Sequence, residues 1–311
     1  MSDNTQIGWT DASWPPVTGC THISDGCDHC YAATLTSGRL KHLPAYEGLA
    51  EGGRFNGQVR LQPDRLDWPQ HWRKPRKIFV SDMADQFHAG VPDEYIARVW
   101  QVMATCPQHT FQVPTKRHAR MRAWVSRCTV SPGGWITHNG SDPAACGGNG
   151  IIVGHPYEPE HVVYGRRGGN RRVIPASGGW PLPNVWCGVS AENEKWFDIR
   201  TEALLDTPAA VRFVSAEPLL GPIRMRSTLL VGAALDPKPG INWMIVGGES
   251  GPGHRPMDIG WLESIVSQCR DAGVPVFVKQ DSGPRAGQQG RIPDDLWIHE
   301  FPGDVPAVSA A

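Results

Sequence analysis

The stretch CTHISDGCDHC, residues 20–30, places Cys20, Cys27 and Cys30 in one short segment, the last two as a CxxC turn just after Gly26. Thiolates are soft ligands, suited to iron–sulfur clusters, zinc and copper(I). A [4Fe–4S] cluster usually takes four cysteines, so three leave one iron open to an exogenous ligand. Two other readings stay open from the residues alone: a structural zinc site completed by His22 or His29, and three unligated thiols. Cys106, Cys128, Cys187 and Cys269 fall in or beside apolar patterns, where a small buried thiol is the ordinary reading.

A second group of reactive types follows short apolar runs: Asp82 and Asp85, Lys116, Ser190 and Glu192, Glu217, Glu249 and Lys279. Gly247 and Gly248 permit close approach of backbone to a ligand, and Glu249 can accept from an ammonium or from ribose hydroxyls. A tight turn is the plain alternative for GGES. Lys116 and Lys279 can pair with a carboxylate, with a phosphate, or with the neighbouring glutamates, the commonest fate of a buried charge.

The elements that must position these groups read as alternating strands and helices. KIFVSD (77–82), HTFQVPTK (109–116), NVWCGVS (184–190), VRFVSAEP (211–218), WMIVGGES (243–250) and VPVFVKQ (274–280) are apolar on both faces, as strands of a parallel sheet are. WPPVTG (14–19) is the expected first strand. DEYIARVWQVMATC (93–106), RHARMRAWVSRC (117–128), NEKWFDIRTEALL (193–205) and DIGWLESIVSQCRDAG (258–273) carry apolar residues at three and four spacing, and the last ends in a Gly suited to a C′ position. The expected fold is α/β, a full or partial TIM-like barrel, with a doubly wound open sheet as the rival. In either, chemistry belongs at the carboxyl ends of the strands.

Residues 129–183 interrupt the repeat, in what is otherwise expected to be one barrel domain over 1–311. This Gly-, Pro- and Arg-rich insertion includes GRRGGNRR (165–172), whose arginines can hold phosphates or simply be solvated. It also carries His138, Cys146, His155 and His161, at spacings too irregular for a zinc site, and Trp135, Tyr157 and Tyr164, which can stack on bases or pack.

The chain of 311 residues, with 35 Gly, 28 Pro and 40% hydrophobic residues, has enough apolar content for a substantial core and many turns. A formal charge of −1 supplies no whole-molecule field toward nucleic acid or membrane, so any nucleic-acid contact must be local. The start, MSDNTQIGWTD, lacks a basic stretch followed by an apolar core, and no segment reaches 18 apolar residues. A cytoplasmic protein with reduced cysteines and no membrane contact is expected.

In order along the chain, VTGCTHISDGCDHCYA, FVSDMADQFH, PQHTFQVPTKR, LPNVWCGVSAEN, TPAAVRFVSAEPLLGPI, WMIVGGESGPGHRP and AGVPVFVKQ resemble an uncharacterised branch of the radical S-adenosylmethionine superfamily, common in phages and mobile elements. The resemblance runs from about residue 7 to about 290, apart from the insertion. It implies that Cys20, Cys27 and Cys30 bind a [4Fe–4S] cluster whose open iron takes the amino and carboxylate groups of S-adenosylmethionine. It further implies a 5′-deoxyadenosyl radical that abstracts hydrogen from a substrate, with electrons from an external flavodoxin- or ferredoxin-type donor. By the same resemblance His29 or Tyr31 packs on the adenine, and Ser190, Glu192 and Glu217 bind ribose or methionine groups. Lys116 and Lys279 are candidates for the cofactor carboxylate. GGES has the letters of a glycine-rich motif that contacts the cofactor's amino group, but follows a late strand. Six residues separate the first two cysteines, where three are commonest in the superfamily. The phage context suggests a nucleotide or nucleic-acid substrate. The rival class is a zinc-stabilised, non-catalytic binding protein on a degenerate barrel; an iron–sulfur scaffold without radical chemistry is a third.

Overall fold

Seven parallel strands pair in chain order: β1 (Ala12–Trp14), β2 (Lys77–Val80), β3 (Thr110–Thr115), β4 (Val185–Ser190), β5 (Val211–Ala216), β6 (Trp243–Gly247) and β7 (Val276–Gln280). The computed structural model describes residues 5, 7–130, 136–138, 151–153, 180–225 and 240–303. Because the order never reverses, the doubly wound alternative, which needs a switch point, is excluded. The sheet does not close, since β1 and β7 stand at its two ends; it is a partial barrel, not a full one.

The pleat sorts side chains onto two faces. Ile78 and Val80, Phe111 and Val113, Val185 and Val189, Val214, Met244 and Val246, and Val276 and Val278 form the outer face, all buried. Against it pack helices α2 (Asp93–Ala104), α3 (His118–Val125), α4 (Glu194–Leu205) and α5 (Ile259–Ala272). Each fully buried Val, Ile or Phe there contributes roughly 1.5–3 kcal/mol. Asn193 caps α4 by accepting from the Trp196 N–H, Asp258 caps α5, and Gly273, at φ 66°, ends α5 as the sequence suggests.

The inner face shows why the sheet curls. Phe213, Trp243, Ile245 and Phe277 form a separate apolar cluster, with Phe79 and Trp186 against it. Its centre comes from outside the sheet. Trp9, in the segment before β1, lies 4.9 Å ring to ring from Phe79 of β2 and 6.4 Å from Trp243 of β6, bridging distant strands. The Gln112 side chain donates to the Trp9 carbonyl at 3.1 Å. An aromatic plug thus fills one end of the curl and leaves the other, at the strands' carboxyl ends, for polar groups.

The first strand is ASW, not WPPVTG. Pro15 and Pro16 have no N–H to give a ladder. Trp14 is the last residue of β1, and after the two prolines Val17–Thr18 is extended again, pairing antiparallel with Arg60–Leu61. The cysteine segment therefore follows β1 by way of this short ribbon, and leads into α1 (Tyr31–Ser37).

Part of the insertion is a small antiparallel sheet of Cys128–Val130, Ile136–His138 and Ile151–Val153, with the middle strand at its centre. Trp135, Cys146, His155, Tyr157, His161, Tyr164 and GRRGGNRR lie outside the described residues. No described helix is long and apolar enough to cross a membrane.

Candidate functional site

None of the described cysteines is in a disulfide, and Cys20, Cys27 and Cys30 differ from the others in being only half-buried. Cys27 ends a single 3₁₀ turn, Asp25–Cys27, and Cys30 occupies the N-cap position of α1. Burial pushes the Cys20 thiol up to about 11 against the opposing pull of Arg117, and burial raises Cys30 as well. Both are therefore protonated near neutral pH, and a metal would have to displace those protons. Among the described residues, no three His, Cys, Asp or Glu side chains converge closely enough to hold a metal ion. The donor set nevertheless fits a soft centre in kind: three thiols outside any disulfide on one loop at the carboxyl-end rim.

Two ionic anchors hold this loop. From below, the Ser24 hydroxyl donates to Glu192 Oε1 at 2.7 Å, and the Arg200 guanidinium of α4 donates to Glu192 Oε2 at 3.0 Å, with both charged side chains wholly buried. A Cβ on Gly26 would stand 2.4 Å from Glu192 Oε1, so the loop can rest on this carboxylate only because residue 26 has no side chain. From outside, Arg255 grips Glu249 through Nε at 3.1 Å and Nη2 at 2.6 Å, reaches Asp28 Oδ2 at 3.1 Å, and donates to the Asp25 carbonyl at 2.8 Å. Burial pushes the Glu249 carboxyl up, but the Arg255 hydrogen bonds outweigh it and hold it below the usual carboxylate range. His29 Nδ1 sits 2.8 Å from Glu249 Oε2, and His22 Nε2 sits 2.7 Å from Asp28 Oδ1. Both histidines that could have completed a zinc set are thus bonded to carboxylates.

The remaining rim residues face the mouth of the curl. Lys279 Nζ pairs with Glu217 Oε1 at 2.8 Å, while Glu217 Oε2 accepts from Ser215 at 3.0 Å and from the Trp9 indole N–H at 3.3 Å. Lys116 Nζ is 3.6 Å from Glu192 Oε1. Ser190 pairs in register with Ser215, and its carbonyl accepts from Arg200 at 2.7 Å. Gly247 and Gly248 are buried; a Cβ on Gly248 would meet the Ser282 backbone N at 2.3 Å, so this glycine is used by the loop after β7. Tyr31 is 45% exposed, its hydroxyl donating to the Asp82 carbonyl at 2.6 Å.

Asp82 is the unsettled member of this rim. Ser81, just before it, has φ 62°, the left-handed backbone otherwise confined to glycines among the described residues. The turn sends the Asp82 carboxyl toward Ser13, and its Oδ1 is buried without a partner. Burial pushes this carboxyl up to about 7, only partly offset by the Ser13 hydrogen bond. The folded value lies above the unfolded one, so folding is penalised progressively as pH rises from about 4 to 7. Asp82→Asn is therefore expected to be more stable than the parent at pH 8, by up to about 4 kcal/mol, with the gain vanishing near pH 4. Urea melts of both chains across that range check it; a gain independent of pH would remove burial of the charge as its cause.

Arg200, Arg255 and Ser24 were not legible as site residues, although Arg255 lies inside the GESGPGHRP motif. A comparison with protein families adds one result. A family model described as "Protein of unknown function (DUF5131)" matches residues 4–295. The chain belongs to that family. The DUF5131 match spans the whole cysteine loop and every strand of the curled sheet. No curated protein and no solved structure matches the chain.

Proposed function

We propose that this DUF5131 chain is a radical S-adenosylmethionine enzyme in which Cys20, Cys27 and Cys30 bind a [4Fe–4S] cluster. The observation that carries the reading is the placement of three half-buried thiols, none in a disulfide, in the β1–α1 loop, at the polar end of a curled parallel sheet. A cluster held by these three cysteines would supply one-electron reduction of S-adenosylmethionine, with its sulfonium C–S bond broken to methionine and a 5′-deoxyadenosyl radical. The electron comes from an external donor of the flavodoxin or ferredoxin type.

The chain's own residues have distinct tasks in this reading. The Asp82 oxygen that lacks a partner accepts from the cofactor's ammonium, which supplies the missing donor. Tyr31 and His29 offer ring faces to the adenine. Lys116 and the Lys279–Glu217 pair hold carboxylate and hydroxyl groups at the mouth. Glu192 and Glu249 act through the loop they anchor. Trp9 and the aromatic cluster close the floor and exclude water from the reacting carbon.

The test is anaerobic reconstitution with iron and sulfide, then EPR of the reduced chain with and without S-adenosylmethionine, and assay of 5′-deoxyadenosine. A cofactor-dependent change of the cluster signal with 5′-deoxyadenosine formed under dithionite is expected. A colourless chain holding one zinc would overturn the reading in favour of a binding scaffold.

A further inference from the structure

Three cations surround the three thiols, and all come from the ends of β3 and β4 or the helices that follow. Lys116 lies where its charge favours the Cys30 thiolate, and Arg200 lies close enough to Cys27 for each to feel the other's charge. Arg117 does more, because it makes a directed contact: its Nη1 donates to Cys20 Sγ at 3.5 Å. Its Nη2 donates to the Thr21 carbonyl at 3.3 Å, so one guanidinium grips both the sulfur and the backbone of the cysteine segment.

The grip is rigid from behind. Arg117 Nη1 is 3.1 Å from Asp85 Oδ2, and its backbone N–H donates to Thr115 Oγ1 at 2.8 Å. Asp85 is itself buried and fixed, accepting from the Phe87 N–H at 2.9 Å, the Thr115 hydroxyl at 2.7 Å and the Lys116 N–H at 3.0 Å. A surface arginine packing at random would not be locked by a fully committed carboxylate. The chain runs from Asp85 through Arg117 to a single sulfur.

We infer that Arg117 is a positioning residue for the metal centre, fixing the Cys20 sulfur and, by its hydrogen bond and charge, raising the reduction potential of the cluster held there. The inference rests on the function proposed above. A donor to a ligand sulfur withdraws electron density from it and stabilises the more negative, reduced cluster. Loss of such a partner generally weakens metal retention by roughly 10–100-fold.

The experiment compares the parent with Arg117→Gln and Arg117→Lys after anaerobic reconstitution, measuring midpoint potential, reduced-state EPR and the rate of iron loss to a chelator. Circular dichroism and urea melts of each chain before loading check that it is folded. Arg117→Gln is expected to shift the midpoint to more negative values, alter the EPR signal and lose iron roughly tenfold faster or more. Arg117→Lys retains the charge without the planar fork and is expected to restore the potential better than the retention. A folded Arg117→Gln chain with the parent's potential and chelator rate would overturn the inference while leaving the proposed function intact. Should Arg117→Gln fail to fold, a Lys variant matching the parent in retention would overturn it equally. A parent chain that takes up no cluster overturns both.

Discussion

Cys20→Ala, Cys27→Ala and Cys30→Ala, each reconstituted anaerobically, are expected to lose essentially all cluster absorbance and bound sulfide, whereas Cys106→Ala and Cys269→Ala keep theirs. The other described cysteines are buried in the core, so no further thiol is at hand to replace a lost one. Each of the three residues is only partly buried and loses a single sulfur atom, so each variant should stay folded, within about 2 kcal/mol of the parent in urea. Retention of full iron and sulfide in any one of the three would remove that residue from the ligand set.

Glu192→Ala is expected to be the most damaging change outside the cysteines. Arg200 is wholly buried, and its Nε and Nη2 have no partner beyond the contacts Nη1 makes to Glu192 and the Ser190 carbonyl. Removing the carboxylate leaves the buried guanidinium with only the Trp196 ring face, 4.2 Å away, and the Ser190 carbonyl, which costs about 3 kcal/mol or more. It also frees Ser24 and withdraws the surface on which Gly26 rests. The urea midpoint should fall steeply, and in the double variant Glu192→Ala/Arg200→Met much of the loss should return, since no buried charge then remains. A loss below about 1 kcal/mol in the single variant would show that water reaches Arg200 and that the pair is not an anchor.

The strands β2 to β7 were readable because each is a continuous β-branched or aromatic run, a pattern that parallel sheets impose and few loops imitate. The first strand was not, because ASW is three residues long and the more conspicuous WPPVTG beside it is broken by two prolines. At the rim, residue types were legible and their partners were not. The pairing of Lys279 with Glu217 follows from an inward position on β7 and one just past the end of β5, either side of β6, and could be named only as one alternative. The burial of Glu192 beneath the cysteine loop depends on Arg200, two turns along α4, pointing inward from a helix whose apolar stripe gives no hint of it. Arg255 sits in an irregular turn, where no periodicity assigns a face. Arg117 meets Cys20 from the turn after β3 and is held by Asp85 from the loop after β2, two segments far apart in sequence from the cysteines.

Trp9 belongs to no strand, yet it sits among Phe79, Trp243 and Gln112 and touches Glu217 with its indole N–H. The depth of the mouth is therefore set by a side chain that the sheet does not carry. Sequence drift in the short run before β1 can raise or lower the floor of the curl without disturbing a single ladder hydrogen bond.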